Sequence, residues 1–145
     1  MKMKTALFGT IALLSVLLQA GTRISDCVIY LPKGSPDSVE TAAEELLYHI
    51  KLATGVELPV VNTPRSPMIA LGDSPAARKA GIDVSKEPYE THIIRTVGKD
   101  LYIAGRDLPK DRLTEFGGHS YGTLYGTYAF LNKAMGFEWL MPSQK

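Results

Sequence analysis

The sequence of 145 residues predicts an α+β fold: a single domain with a mixed β-sheet of about six strands packed by two or three helices. Three observations predict it. Apolar residues recur at helical spacing over Val39–Ala53. Met68–Leu71 is apolar throughout, as in a strand buried on both faces. Thr91–Val97 and Leu101–Ala104 flank Gly98–Asp100, a hairpin signal. Such a mixture favours one sheet covered by helices.

The N-terminus has the pattern of a secretory signal peptide, assigned to residues 1–20. Met1–Lys4 holds two lysines, and Thr5–Ala20 is apolar and uncharged. This apolar run is shorter than the ~20 residues of a spanning helix, although an uncleaved anchor is the alternative. Ala20 and Gly21 suit cleavage, whereas Leu18 is larger than the usual residue at its position. We therefore expect a secreted or periplasmic protein, with no membrane contact once the leader is removed.

The remaining residues, 21–145, are enough for one domain with a single core. Without the two leader lysines, this part has 14 basic and 15 acidic residues, a net charge of about −1. The chain has no long basic run, so nucleic acid is not an expected partner. Cys27 is the one cysteine, so it has no partner for an internal disulfide or a metal site. We expect it to be a buried, inert thiol in a strand.

The first strand is predicted over Ile24–Leu31, with a turn at Pro32–Gly34. The first helix follows. Ser35 or Asp37 can cap it, and Asp37 with Glu40 has the spacing of a capping box. Gly55 is placed to end it. Its apolar stripe consists of Val39, Ala42, Ala43, Leu46, Leu47, Ile50 and Ala53.

The later elements follow from the same signals. Glu57–Val61 is predicted as a short strand, and a short helix begins at Ser74 and Pro75. The last helix is predicted over Ser120–Met135, with Gly136 as its stop. The alternating residues Phe137, Trp139 and Met141 are typical of a half-buried strand.

Three glycines recur every four residues at the last helix: Gly118, Gly122 and Gly126. Each costs up to ~1 kcal/mol relative to alanine in a helix. Close approach of the helix backbone to the sheet is the interpretation that accounts for this cost. A phosphate-binding loop is not supported, because no Gly-Lys-Ser/Thr sequence follows.

Arg106 and Asp107 follow a predicted strand directly, where α/β sheets often form ligand clefts. They are candidates for binding a polar ligand, and surface pairing is the alternative. His119, beside a helix start, is the third candidate, and a role in capping the helix is the alternative. We expect no metal site, since no histidine has a partner at ligand spacing, and no cofactor. Nor does the chain show a base with a nucleophile or a carboxylate pair suited to glycoside chemistry. No catalytic residue is therefore assigned.

Taken in order, four blocks of sequence resemble the N-terminal domain of family 67 α-glucuronidases and related glycoside-hydrolase-like secreted proteins. The domain is also similar to the small domain before the barrel in β-N-acetylhexosaminidases. The resemblance covers nearly all of the chain after the leader. The blocks are Thr41–Leu47 with Thr54–Val60, Ile69–Gly72, Asp100–Asp107, and Gly122–Leu131 with Gly136–Pro142.

The resemblance implies an α+β domain that precedes a (β/α)₈ barrel carrying the catalytic acids, which would lie beyond Lys145. The expected role is then that of a non-catalytic accessory domain of a secreted carbohydrate-active protein, which packs against the barrel and shapes its site. The parent would be a glycoside hydrolase acting on polysaccharide or oligosaccharide. The alternative is a free-standing carbohydrate-binding module that stacks sugars on Tyr102, Tyr121, Tyr125 or Trp139, although we expect most of these rings in the core. An enzyme using Arg106, Asp107 and His119 by itself is the third hypothesis.

Overall fold

A computed structural model describes residues 17–18 and 21–139. The predicted leader therefore lies outside the described residues, apart from a two-residue strand at its end. Across these two ranges, no helix is both long and apolar enough to cross a membrane. The strands are β1 Leu17–Leu18, β2 Thr22–Arg23, β3 Val28–Tyr30, β4 Val60–Val61, β5 Met68–Leu71, β6 His92–Val97 and β7 Asp100–Gly105. The helices are α1 Asp37–Thr54, α2 Pro75–Lys79 and α3 Gly122–Met135, and a 3₁₀ turn spans Ile24–Asp26.

The main sheet has five strands in the order β4-β3-β5-β7-β6. The neighbours β4, β3, β5 and β7 run parallel, while β6 is antiparallel to β7, with Ile94 opposite Ile103. The predicted hairpin is thus confirmed, and so is the α+β fold with a mixed sheet. The short β1–β2 pair forms a separate antiparallel ladder. The first strand is shorter than predicted, because Ile24–Asp26 forms the 3₁₀ turn instead.

Helices α1 and α3 cover one face of the sheet, and the short helix α2 with the residues after it covers the other. Alternate strand residues such as Ile29, Ile69 and Ile103 pack in one cluster with α1 and α3. Their neighbours along each strand, such as Tyr30 and Tyr102, pack against α2 and the residues that follow it. Because both faces are covered, all four residues of β5 are buried, as its unbroken apolar sequence predicts.

The start of α1 differs from the prediction. The helix begins at Asp37 after Pro36, and no side chain caps it. The Ser35 hydroxyl donates instead to the Pro32 carbonyl at 2.7 Å, and the Asp37 carboxylate pairs with Lys110 at 2.9 Å. The end is as predicted, since Gly55 adopts the left-handed conformation with φ 74°.

Helix α3 lies against the β6–β7 hairpin, and two of the three spaced glycines permit this. A Cβ on Gly126 would be 2.9 Å from the Ile103 Cγ2 atom, and one on Gly122 would be 2.5 Å from the Thr91 carbonyl oxygen. Close approach is therefore confirmed for both. Gly118 is different: it precedes the helix, and a Cβ there would be 3.8 Å from its nearest neighbour, the Thr114 Oγ1 atom.

No strand follows α3 over the described residues 137–139, so this part of the predicted last strand is wrong. Met141 lies outside the described residues. Phe137 and Trp139 instead pack around the His49 ring of α1, with ring centroids 4.7 and 5.7 Å from it. The Asn132 side chain donates to the Phe137 carbonyl at 2.8 Å. Phe137 and Trp139 therefore alternate because both contact the His49 ring from a loop, and not because they belong to a strand.

Cys27 is buried, as predicted, but it lies between the 3₁₀ turn and β3 and not in a strand. Burial together with Asp26 and Asp100 raises the pKa of its thiol to about 11. The ordinary thiol pKa is ~8.5, so the thiolate fraction at pH 8 falls by about two orders of magnitude. We expect the native chain to react with a disulfide reagent at least ~100-fold more slowly than the chain unfolded in guanidinium. Equal rates in the two states would contradict the burial of this thiol.

Candidate functional site

The carboxyl ends of β3, β5 and β7 meet at one edge of the sheet, beside the first turn of α1. In parallel sheets this edge is where ligand clefts form. A cavity of about 370 Å³ opens here, between the loops that follow the three strands. Its lining includes Lys33, Ser35, Gly72, Asp73, Asp107 and Pro109.

Asp107, the predicted cleft residue after β7, ties three elements together at this edge. Its Oδ1 atom accepts from the Ser38 hydroxyl of α1 at 3.0 Å and from the Thr123 amide of α3 at 3.2 Å. Its Oδ2 atom accepts from the Thr123 hydroxyl. That hydroxyl oxygen in turn accepts from the Gly105 amide at 2.9 Å. Asp107 therefore joins the starts of α1 and α3 to the end of β7.

Burial raises the pKa of Asp107, against the opposing effect of its hydrogen bonds from Thr123 and Ser38. A raised pKa is a property of many catalytic acids. Here, however, both carboxylate oxygens are engaged by donors from within the fold. In this geometry Asp107 holds the starts of α1 and α3 together at the edge of the cleft.

Arg106 faces away from the cavity at Asp107. Its guanidinium donates to the Glu87 carbonyl at 3.0 Å and lies 4.2 Å above the centroid of the Tyr89 ring, a cation–π contact. Its backbone carbonyl accepts from the Ser120 hydroxyl at 2.6 Å. Arg106 makes no ion pair with any residue in the described ranges.

His119 lines a second, smaller cavity of about 170 Å³ on the other side of Asp107. This cavity lies between the start of α1 and the start of α3. Its lining consists of Asp37, Ser38, Leu108, Lys110, His119, Ser120 and Tyr121.

The three predicted residues are thus brought to one small region in different ways. His119 lies in the wall of the second cavity. Asp107 and Arg106 are not in the cavity lining but lie next to it. The lining residue Ser38 donates to the Asp107 carboxylate, and the lining residue Ser120 donates to the Arg106 carbonyl. Ser38 and Thr123 were not found by sequence analysis, since an ordinary serine and threonine carry no signal of a partner far along the chain.

Three of the four predicted stacking rings are exposed, against the expectation that most belong to the core. Tyr102 is buried in β7, whereas Tyr121, Tyr125 and Trp139 are 38%, 45% and 47% exposed. The His119 and Tyr125 rings each lie 6.2 Å from the Tyr121 ring, centroid to centroid. These three side chains form what we call the ring row: His119, Tyr121 and Tyr125.

In the part of the chain that the structure describes, no three acidic, histidine or cysteine side chains cluster as a metal site would require. His119 and Ser120 do not form a base–nucleophile pair either. The Ser120 hydroxyl donates to the Arg106 carbonyl and accepts from the Glu90 amide. The donor of the Ser120 hydroxyl and one of its acceptor positions are therefore used within the fold.

No protein-family model matches the sequence, and no curated protein sequence matches it. Among solved structures, the fold is similar to part of BtGH115A, described as a family GH115 4-O-methyl-α-glucuronidase with specificity for decorated arabinogalactans. The TM-score is 0.55 at 19% sequence identity. The match covers 72% of this chain and 13% of that chain.

This chain has a fold found in a glycoside hydrolase. The likeness confirms the coarser part of the predicted resemblance, a glycoside-hydrolase-related fold. The solved neighbour belongs to family GH115, so membership of family 67 stays a prediction. Fold does not fix function, which depends on the site.

Proposed function

We propose that this chain is a non-catalytic accessory domain of a secreted carbohydrate-active protein, and that it packs against a catalytic barrel and shapes the rim of its site. The observation that carries the proposal is the scale of the structural match. Most of this chain corresponds to only 13% of a much longer glucuronidase. A fold that forms a small part of such an enzyme suits a supporting role within a larger protein.

The hydrogen bonds of Asp107 are consistent with catalysis by another domain. Glycoside hydrolysis needs two carboxyl groups flanking the sugar, one of them able to donate a proton. Asp107 has the raised pKa of such an acid, but Ser38 and Thr123 occupy its two oxygens. We therefore place the catalytic acids of the parent protein in the proposed barrel, beyond Lys145.

Exposed apolar side chains on α1 and in the segment after α3 are candidates for contact with the barrel. Trp139 packs edge-on against the Tyr128 ring, with centroids 4.8 Å apart, and is nearly half exposed. Tyr48 and Leu52, one turn apart on α1, are each 63% exposed. Exposed large apolar side chains are common where a protein contacts a partner. Trp139 is also close to the point where the chain would continue into a barrel.

Two finer statements belong to the same proposal. The order of the four sequence blocks favours a parent related to family 67 α-glucuronidases, with polysaccharide or oligosaccharide as its substrate. The basic, then apolar, N-terminus favours export to the periplasm or outside the cell, with cleavage of the leader.

The test compares this chain with its gene read beyond codon 145. We expect the reading frame to continue into a (β/α)₈ barrel of ~250 residues. We also expect aryl glycosides and aryl glucuronides to be hydrolysed by the extended protein and not by residues 21–145. Turnover by the chain alone, lost in an Asp107→Ala variant that keeps its native circular dichroism spectrum, would instead establish the enzyme hypothesis.

A further inference from the structure

We propose that the cavity beside His119, together with the ring row, binds a pyranose ring of a glycan. This inference adds a glycan-binding site to the proposed accessory domain. It rests on the proposed function only because that function brings the protein into contact with glycans. The chemistry of the ligand follows from the cavity itself. A pyranose has C–H groups that pack on aromatic faces and hydroxyls that both donate and accept hydrogen bonds.

The ring row supplies the apolar contacts. Its three rings follow one another at 6.2 Å, with interplanar angles of 58° at both steps. Tyr121 directly precedes α3 and Tyr125 lies in its first turn, and both side chains are exposed. Tyrosine combines a large apolar face with a polar hydroxyl, which suits a ligand of mixed character.

The floor of the cavity is fixed by hydrogen bonds within the fold. The Ser38 hydroxyl is committed to Asp107, and the Ser120 hydroxyl to the Arg106 carbonyl. Glu90 adds a further constraint, because its carboxylate accepts from the Tyr121 amide at 3.4 Å and its own amide donates to Ser120 at 3.3 Å. Sites held in this way are pre-organised, which reduces the entropy lost on binding.

Glu90 makes these bonds from an unusual backbone conformation. Its φ of 68° lies in the left-handed region, which residues other than glycine adopt only occasionally. It is the one non-glycine residue with positive φ in the described chain. The two hydrogen bonds of Glu90 hold it in this conformation. They also fix the backbone of Tyr121, which belongs to the ring row.

The walls of the cavity include polar groups that can bond to a ligand. Among the described residues, neither the His119 ring nor the Tyr121 hydroxyl makes a hydrogen bond within the fold. Lys110 and Asp37 pair with each other at 2.9 Å across the rim and leave further donor and acceptor capacity. Because these two charges compensate one another, the cavity favours a neutral, hydroxyl-rich ligand over a phosphate.

The cavity is small and open to solvent, with a volume of about 170 Å³. We therefore expect it to take one sugar ring of a glycan. A longer glycan would place one ring in the cavity and continue along the ring row toward Tyr125.

The test is an NMR titration of the purified chain with cellohexaose, xylohexaose and mannohexaose, with inorganic phosphate as a separate arm. At least one hexasaccharide should shift the amide signals of His119, Tyr121 and Tyr125. Tyr121→Ala should weaken that binding by ~10-fold or more, whereas Tyr121→Phe, which keeps the ring, should stay within ~3-fold. Tyr48→Ala is the matched control on a distant exposed tyrosine and should leave the affinity unchanged.

Three outcomes would overturn the site: no shift at the ring row with any hexasaccharide at ~10 mM, equal weakening by Tyr121→Ala and Tyr48→Ala, or saturation by phosphate alone. Should Tyr121→Ala lose its native spectrum, Tyr125→Ala decides in the same way. Failure of this titration leaves the reading frame beyond codon 145 unaffected. The reverse also holds, so the site and the accessory function fail independently.

Discussion

Replacement of Gly105 by alanine is expected to lower the free energy of unfolding by at least ~3 kcal/mol, or to prevent folding. A Cβ at this position would be 2.3 Å from both the Gly122 carbonyl carbon and the Thr123 nitrogen. These are backbone atoms at the start of α3, so no side-chain rotation can relieve the overlap. The helix would have to move off the end of β7. Urea unfolding followed by far-UV circular dichroism measures the loss.

Gly118→Ala is the matched control for this substitution. Gly118 has open space around it, with its nearest neighbour 3.8 Å from an added Cβ. We expect a change within ~0.5 kcal/mol, as for other surface substitutions. If both alanine variants lost the same stability, the close contact between β7 and α3 would be contradicted.

Replacement of Asp107 by alanine is the second large effect that we expect. The change removes the acceptor for the Ser38 hydroxyl and for the amide and hydroxyl of Thr123. Ser38 and Thr123 are buried, so their donors would lose a partner away from water. We expect a loss of about 3 kcal/mol in the free energy of unfolding, measured in urea. Asp107→Asn keeps the shape and one acceptor oxygen, and we expect it to cost about 1 kcal/mol.

The raised pKa of Asp107 makes a separate prediction about pH. Since the native pKa lies above the ordinary value of ~3.9, the protonated form is favoured by folding. The contribution of protonated Asp107 to stability is therefore complete below the ordinary pKa of ~3.9. It is lost as the pH rises through the native pKa. The stability of the natural chain relative to Asp107→Asn should fall as the pH rises above about 4. A relative stability that increases over this range would contradict the burial of Asp107.

Local patterns in the sequence were sufficient for much of the fold. The β5 strand and the β6–β7 hairpin follow from unbroken or paired apolar runs, and they form as predicted. The C-terminal ends of α1 and α3 were also predicted, because Gly55 and Gly136 supply the left-handed conformation that ends a helix. Each of these features depends on residues close together along the chain.

What the sequence did not reveal depends on distant contacts. The Ser38–Asp107 hydrogen bond joins residues 69 positions apart, and neither side chain indicates the other. Phe137 and Trp139 alternate as in a strand, yet they pack on His49 of α1. The Ser35 and Asp37 caps failed for a similar reason, since each side chain has another partner in the fold.

The candidate site residues stay a prediction. Arg106 and Asp107 follow β7, as the sequence predicted, and two cavities lie at this edge of the sheet. Their roles could not be inferred, because Thr123 and Tyr89, their main partners, are brought to them only by the packing of the chain. The exposure of Tyr121 and Tyr125 was likewise a tertiary property, since tyrosines at helical spacing are common in cores.

The mass of the natural polypeptide tests the accessory function most directly. An antibody raised against residues 21–145 would detect it by immunoblotting of periplasmic and extracellular fractions from the source cells. We predict a band larger than the 15.8 kDa of this chain by at least the mass of a ~250-residue barrel. A single stable band at or below 15.8 kDa in those fractions would contradict the proposal that the chain serves as part of a larger carbohydrate-active protein.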